Sequence, residues 1–430
     1  MKRGMLAVAA LAAVCVSQSA GAKTLEEVLK EKGVITEEDY KEVQKNSPSK
    51  YKLGEGFNFT SSDGKFSSSI GASYQLRYTL MDLDNVNDTA AKQAQDFSKF
   101  ELRRIKLLFN GYAYSKNLTY KMSLNFANIA GGTTNNGGLL EETWINYRLF
   151  DELQFRFGQD KVQFGRQFIT ASTAQQFVDQ SIVTNAFVPT YDTGLMVHGK
   201  IAGGIFNYNI AGFGGVGQNT YRTTNDNALA ARITVNPFGE MKYSESDVEY
   251  SDKPLLSVGA NYFRDTIFIG ESNNLGFAKS TGWYGIGSPL MTASQKFSAG
   301  ESLDFNTFGI DTAFKWRGLS VTGEYFSGEA DGQQSRHKLR AEGFYAQAGY
   351  FVIPKKVELA YRFSYLDPNR DVLNDHWTEN AVAASWYINN HNLKLQADYT
   401  NVHKQSGIAS TKGANPTDDN QVRFQAQILF

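Results

Sequence analysis

Only 1 of the 430 residues is cysteine and only 8 are proline. A disulfide framework is therefore excluded, and few positions are barred from a hydrogen-bonded ladder. Charge of one sign is equally scarce: 43 Lys and Arg against 44 Asp and Glu give a formal net charge of -1. No global field drives the chain toward nucleic acid. No stretch is apolar enough for a transmembrane helix, and the mean hydropathy of -0.39 reads as polar. With 41% hydrophobic and 20% charged residues the chain is neither disordered nor collagen-like. What it has in quantity is 30 Phe, 22 Tyr and 39 Gly, a composition that favours many strands over a row of soluble domains.

The first segment sets the compartment. Lys2 and Arg3 precede an apolar run over residues 5–16, and small and polar residues lead to Ala20-Gly21-Ala22. This is the pattern of a secretory signal over 1–22. Cys15 raises a lipoprotein reading, but Val14 and Ala12 fit a lipidation box poorly. Cleavage after Ala22 removes the only cysteine and, with Lys2 and Arg3, shifts the net charge to about -3. Residues 23–52 read as a periplasmic helical segment and linker. Leu25, Val28 and Leu29 share a stripe, Gly33 stops it, and Thr36 with Asp39 resembles a capping box ahead of Tyr40 and Val43. A spacer is the plain reading, and an oligomerising or cell-wall-contacting element the sharper one.

From Phe66 the hydrophobic period becomes two. Ile70, Ala72, Tyr74, Leu76, Tyr78 and Leu80 alternate with Ser69, Gly71, Ser73, Gln75, Arg77 and Thr79, as in a strand with one apolar and one polar face. The same alternation marks 99–115, 118–128, 141–149, 153–159, 194–202, 205–213, 228–236, 255–264, 305–316, 319–328, 341–352, 356–366, 379–388, 391–402 and 421–430. With 69–80 these make sixteen candidate strands. Their connections alternate strictly between short and long. The short set includes 116–117, 203–204, 317–318 and 389–390, with one longer exception at 237–254; the long set includes 81–98, 129–140, 160–193 and 265–304. Short turns at one end and long loops at the other are the signature of a transmembrane antiparallel up-and-down β-barrel, expected here over 53–430. All eight prolines fall outside the strands. Because only alternate residues need be apolar, the polar mean hydropathy is no objection. The last strand puts Val422, Phe424, Ala426, Ile428 and Phe430 on one face, and a terminal Phe there resembles the assembly signal of outer-membrane proteins.

Residues 100–111 (FELRRIKLLFNG) are similar to the LRRARLxFxG segment of the phosphate-selective porin O and P family. Residues 142–150 (ETWINYRLF) resemble its DAYVGYRLF strand, and 155–164 (FRFGQDKVQF) its LRVGQFKxPF segment. The resemblance implies a water-filled, homotrimeric, sixteen-stranded porin of a Gram-negative outer membrane, without cofactor, whose third external loop folds inward. The loop at about 160–193 is third in order. Its partners would be outer-membrane lipids and small hydrophilic solutes or inorganic anions.

Function in such a pore lies on the lumen face, where charged rings set selectivity. By alternation Arg77, Arg104, Lys106, Lys121, Arg148, Arg156 and Lys200 point inward, and Lys161 and Arg166 begin the third loop. These nine are the candidate pore-lining and anion-binding residues; opposing acids on this wall look few, with Glu142 near one rim. Strands from 305 onward are mixed, with Asp311, Glu324, Glu358 and Asp398 among Lys315, Arg362, Lys394 and Arg423. A basic wall facing a mixed one would favour anions. The dense Arg-x-Arg ladder of the family's phosphate-specific members is absent, so weak anion preference is expected, with a non-selective or carbohydrate-permeable pore as the alternative. Tyr78, Tyr114, Tyr147, Trp316, Tyr361 and Trp386 read as interfacial girdles, and Phe326 and Tyr345 as lumen contacts. Asp375-His376 is the one pair suggesting a hydrolase, without a supporting motif. An adhesin would need no open lumen, whereas sixteen strands enclose one unless plugged.

Overall fold

The computed structural model describes residues 25–40, 49–84, 96–127, 139–215, 217–220, 222, 224–268, 297–298, 300–405 and 416–430. The expected signal segment, Cys15 and the glycine-rich run at 135–138 lie outside these residues. The chain divides into two units, Met1–Lys50 and Tyr51–Phe430. In the first, α1 (Leu25–Glu31) is followed by a reciprocal capping box. The Thr36 N–H donates to Asp39 Oδ2 at 2.9 Å and the Asp39 N–H to Thr36 Oγ1 at 3.0 Å.

The second unit contains sixteen long strands, each overlapping one read from alternation. The first eight are β1 (Ser67–Asp82), β2 (Phe97–Ala113), β3 (Ser115–Asn125), β4 (Leu140–Phe150), β5 (Leu153–Lys161), β6 (Tyr191–Ile201), β7 (Phe206–Phe213) and β8 (Ala228–Val235). The second eight are β9 (Leu255–Phe268), β10 (Ser302–Trp316), β11 (Leu319–Gly332), β12 (Lys338–Ile353), β13 (Val357–Asp367), β14 (Trp377–Asn389), β15 (Leu393–Lys404) and β16 (Thr417–Leu429). Neighbours in sequence are antiparallel neighbours in space, and β16 pairs back on β1, with Val422 opposite Leu80 and Ile428 opposite Tyr74. The seam continues past β16: the Phe430 N–H donates to Ala72 O at 3.0 Å, and its ring stacks on Tyr74 with centroids 5.6 Å apart. A short strand that the alternation did not reveal, Gly56–Thr60, pairs with the lower part of β1, Phe57 lying opposite Ile70.

Closure leaves no free edge, so every strand can satisfy its backbone within a membrane. The outward residues form the apolar band that lipid requires: Ile310, Leu359 and Val382 are each about half exposed. Tyr147, Trp316 and Trp386 are also outward and lie toward the short-turn ends of their strands, where an interfacial girdle belongs. Inward positions carry Gln, Asn, Asp, Glu, Arg and Lys. A compact apolar cluster nevertheless fills part of the interior, built from Phe164, Val183 and Phe187 of the segment after β5 against Phe263, Phe305 and Phe326 of the wall.

Ile310 lies near the middle of β10 on the lipid face, so Ile310→Arg should lower folding stability in bilayers by about 2–4 kcal/mol. Urea titration of the reconstituted barrel measures this; an unchanged midpoint would mean that the position does not face hydrocarbon.

Candidate functional site

After β5 the chain turns into the barrel. Gly165 makes the turn at φ 74, where an added Cβ would lie 2.7 Å from the Val188 side chain. Then come α2 (Arg166–Ile169), a 3-10 turn (Ser172–Ala174) and α3 (Ile182–Phe187). Ser181 caps α3 by accepting the Thr184 N–H at 3.0 Å. The wall carboxylates receive the loop's orphan donors. Glu324 accepts the N–H groups of Arg166 and Gln167, Asp398 that of Val178 at 3.1 Å, and Glu358 the Gln176 amide at 2.6 Å. Arg362 Nη1 returns a bond to the Asp179 carbonyl at 3.0 Å. Below α3, the Phe187 and Phe326 rings stack with centroids 5.8 Å apart.

Asp179 ties the loop to the seam. Its carboxylate lies 2.9 Å from Arg77, 3.5 Å from Arg103 and 4.0 Å from Arg423. Burial pushes this carboxyl up, but Arg103, Arg77 and Arg423 together hold it well below the usual carboxylate range. A depressed folded-state pKa means that the latch is fully formed above the ordinary Asp value and is lost only as pH falls through the lower one.

The nine candidate cations divide into three groups. Arg104, Lys106, Lys121, Arg156 and Lys161 cluster on β2–β5 and keep partial exposure. Arg148 and Lys200 are exposed at the short-turn rim, paired with Asp151 at 3.2 Å and Glu240 at 2.5 Å. Arg77 and Arg166 correct the expectation, because neither lines water. Arg77 is 6% exposed and spends its guanidinium on Asp179, the Val178 carbonyl and Gln425. Arg166 is 3% exposed, bonded to Ser257 at 2.9 Å and covered by Met241 and the Tyr243 ring. Phe326 and Tyr345 do point inward but lie beneath the loop, at 0% and 1% exposure.

The expected scarcity of acids on the basic wall is also corrected. Lys106 meets Glu141 at 2.5 Å, Lys121 meets Glu142 at 2.7 Å and Arg156 meets Asp160 at 2.6 Å. Two register shifts supply the acids that strict alternation hides. One at Arg103 puts Arg104 opposite Gln75 but Leu102 opposite Leu76, which brings Glu101 opposite inward Arg77. The other sets Met122 opposite Thr143 but Leu124 opposite Leu140, so that Glu141 and Glu142 together face Ser123. Lys161 has no carboxylate within salt-bridge distance among the described residues; its ammonium bonds the Phe168 and Thr170 carbonyls at 2.6 and 3.2 Å. Arg104 reaches Gln75 at 2.9 Å. As for Asp375 and His376, the carboxyl is buried and the imidazole stacks on Tyr365 at 5.3 Å.

Inward side chains of β8–β16 are mostly buried under the loop, as at Arg232, Asp311, Glu324, Arg362 and Asp398. Those of β2–β5 are mixed: Ser123, Asn125, Asn146 and Asp160 are buried, whereas Arg104, Lys106, Lys121 and Arg156 keep partial exposure, and in the loop Ala171 is exposed. A closed sixteen-stranded barrel with an apolar exterior, a polar interior and one loop folded inside defines an outer-membrane porin channel. The chain belongs to the family described as Phosphate-selective porin O and P, which it matches over residues 70–430. An uncharacterised protein of Aquifex aeolicus is 24% identical over 92% of this chain and 93% of its own length. Among solved structures, the outer membrane channel DcaP of Acinetobacter baumannii has a TM-score of 0.54 at 14% identity, covering 86% of this chain and 99% of that one. The anion-selective porin of Comamonas acidovorans has a TM-score of 0.53 at 10% identity, over 85% and 100% respectively. At these identities the likeness concerns the fold.

Removing the latch charge by Asp179→Asn leaves three guanidiniums without their shared carboxylate and should weaken loop docking by on the order of 2 kcal/mol. Open-channel current noise should rise while the barrel still assembles; noise indistinguishable from wild type would show that the loop is held without Asp179.

Proposed function

We propose that the channel passes small hydrophilic solutes by diffusion along a route between residues 162–190 and the β2–β5 wall, with a weak preference for anions. The observation that carries this is the charge count on that wall. Arg104, Lys106, Lys121, Arg156 and Lys161 stand against Glu141, Glu142 and Asp160, an excess of two positive charges that is unchanged when Arg103 and Glu101, 3.9 Å apart on β2, are added. Charge lining a narrow low-dielectric passage biases the ions that enter it. Three of the five cations already have a carboxylate, so the bias is small, and a tenfold permeability ratio needs only about 1.4 kcal/mol. The same pairing argues against tight phosphate capture, which calls for several guanidiniums free to bind bidentately.

The mixed wall of β8–β16 does not take part as an opposing electrode, because the loop covers it. Its charges are spent on the loop and on one another, as in the Arg232–Asp311 and Arg423–Asp398 pairs at 2.6 and 2.7 Å. The proposal also includes a secretory signal at 1–22, a periplasmic position for residues 23–52 and a homotrimer. Native electrophoresis of the detergent-extracted protein tests the last of these.

Bilayer recording in a salt gradient decides the sign. Wild type should show a reversal potential displaced modestly toward the anion, and Lys106→Glu with Lys121→Glu should bring it to zero or across to the cation side. Passage without ionic preference in both proteins would favour the non-selective alternative, and an unchanged anion preference in the double variant would move the filter off this wall.

A further inference from the structure

The β8–β9 connection, residues 236–254, is the one long segment at the short-turn end, and it does not lie across the rim. Met241, Glu245, Ser246 and Asp247 are all buried inside the barrel. The Glu245 N–H donates to the Ala174 carbonyl at 3.0 Å. Its carboxylate accepts from Gln167 Nε2 at 2.9 Å and from the Gln176 N–H at 2.7 Å. One residue thus grips the third loop at three points, on both sides of its 3-10 turn.

The segment itself is firmly seated. Ser246 Oγ donates to Glu358 at 2.8 Å, and the same carboxylate oxygen accepts the Tyr387 hydroxyl at 2.7 Å. Asp247 accepts the Gly318 N–H at 2.8 Å, and the Ser244 hydroxyl meets His391 Nε2 at 2.9 Å. Gly318 and His391 belong to the β10–β11 and β14–β15 turns, and Glu358 and Tyr387 to β13 and β14. The bonds from wall carboxylates reach the loop at Arg166, Gln167, Gln176 and Val178, whereas the Ala174 carbonyl and the Gln176 N–H turn toward the short-turn end. Buried backbone groups of this kind must find partners, and Glu245 supplies both.

We infer that the β8–β9 segment is a second element of the pore constriction, and that Glu245 is the positioning residue through which it fixes the third loop from the short-turn side. The width of the passage is then set from both ends of the barrel: laterally by the wall, axially by a segment entering from the opposite mouth to the loop. This deepens the proposed route and rests on residues 162–190 narrowing it.

Single-channel recording on Glu245→Ala, Glu245→Gln and Asp179→Asn separates the two claims. Glu245→Ala should raise conductance roughly twofold and increase open-channel noise, since cross-section and wetting control conduction at a constriction. Glu245→Gln should restore most of the wild-type behaviour, because its amide oxygen still accepts the Gln176 N–H. A purely structural role would instead lower the melting temperature of the folded barrel with conductance unchanged. Wild-type conductance in Glu245→Ala, with Asp179→Asn altered, overturns the inference alone; wild-type conductance in both overturns the constriction itself. Should Glu245→Ala not assemble, Glu245→Asp, whose side chain is one methylene too short to hold both Gln167 and Gln176, is recorded instead, and a rise in conductance is again expected, with wild-type conductance overturning the inference.

Discussion

Ionic and backbone polar groups inside a barrel cannot be left without partners, and here that constraint is met by docking one loop. Among the described residues Glu324 and Glu358 have no salt bridge on their own wall and Asp398 has Arg423, and the third loop delivers N–H groups and an amide to all three. Asp179 then carries a negative charge from the loop to Arg77, Arg103 and Arg423 near the β16–β1 seam. Breaking such a buried pair is far more costly than forming it is favourable, so the set specifies one position for the loop rather than adding much net stability.

Everything proposed about transport follows from that placement. Covering β8–β16 removes its mixed charges from the water path, and the route is left to the β2–β5 wall. There Lys106 and Lys121 are matched by acids on β4, two strands and one strand away, and Arg156 by the acid four residues on. Short-range pairing of this kind suits passage better than capture, because a permeating ion exchanges partners without meeting a deep well. The residual positive excess comes from Arg104 and Lys161, which are held by an amide and by carbonyls instead of carboxylates.

The barrel was legible in the sequence because its code is local. Strict alternation over 69–80 and fifteen further stretches, with turns of alternating length, is enough to specify sixteen strands and the inward face. Membership of the lumen wall was legible for Lys106, Lys121 and Arg156 for the same reason. What alternation cannot carry is a register shift: Glu101 and Glu141 reach the lumen face through the irregularities beside Arg103 and Ser123. Nor can it carry contacts across the lumen. Arg166 reads as a loop cation until Met241, Tyr243 and Ser257, more than 70 positions away, close over it. The 237–254 connection stood out by length alone, the one exception among short turns, and nothing local says that it points inward.

The central claim is that water and solute run on one side of the third loop only. Thiol accessibility tests it directly, in a Cys15→Ser background where the introduced thiol is the only one. Cysteine placed at Ala171 or Lys121 should react quickly with a charged, membrane-impermeant thiol reagent and reduce the single-channel current. Cysteine at Ser364, fully buried behind the loop, should react slowly and leave the current unchanged. Equal rates and equal block at Ser364 and Lys121 would contradict the account, since both walls would then be open to the pore.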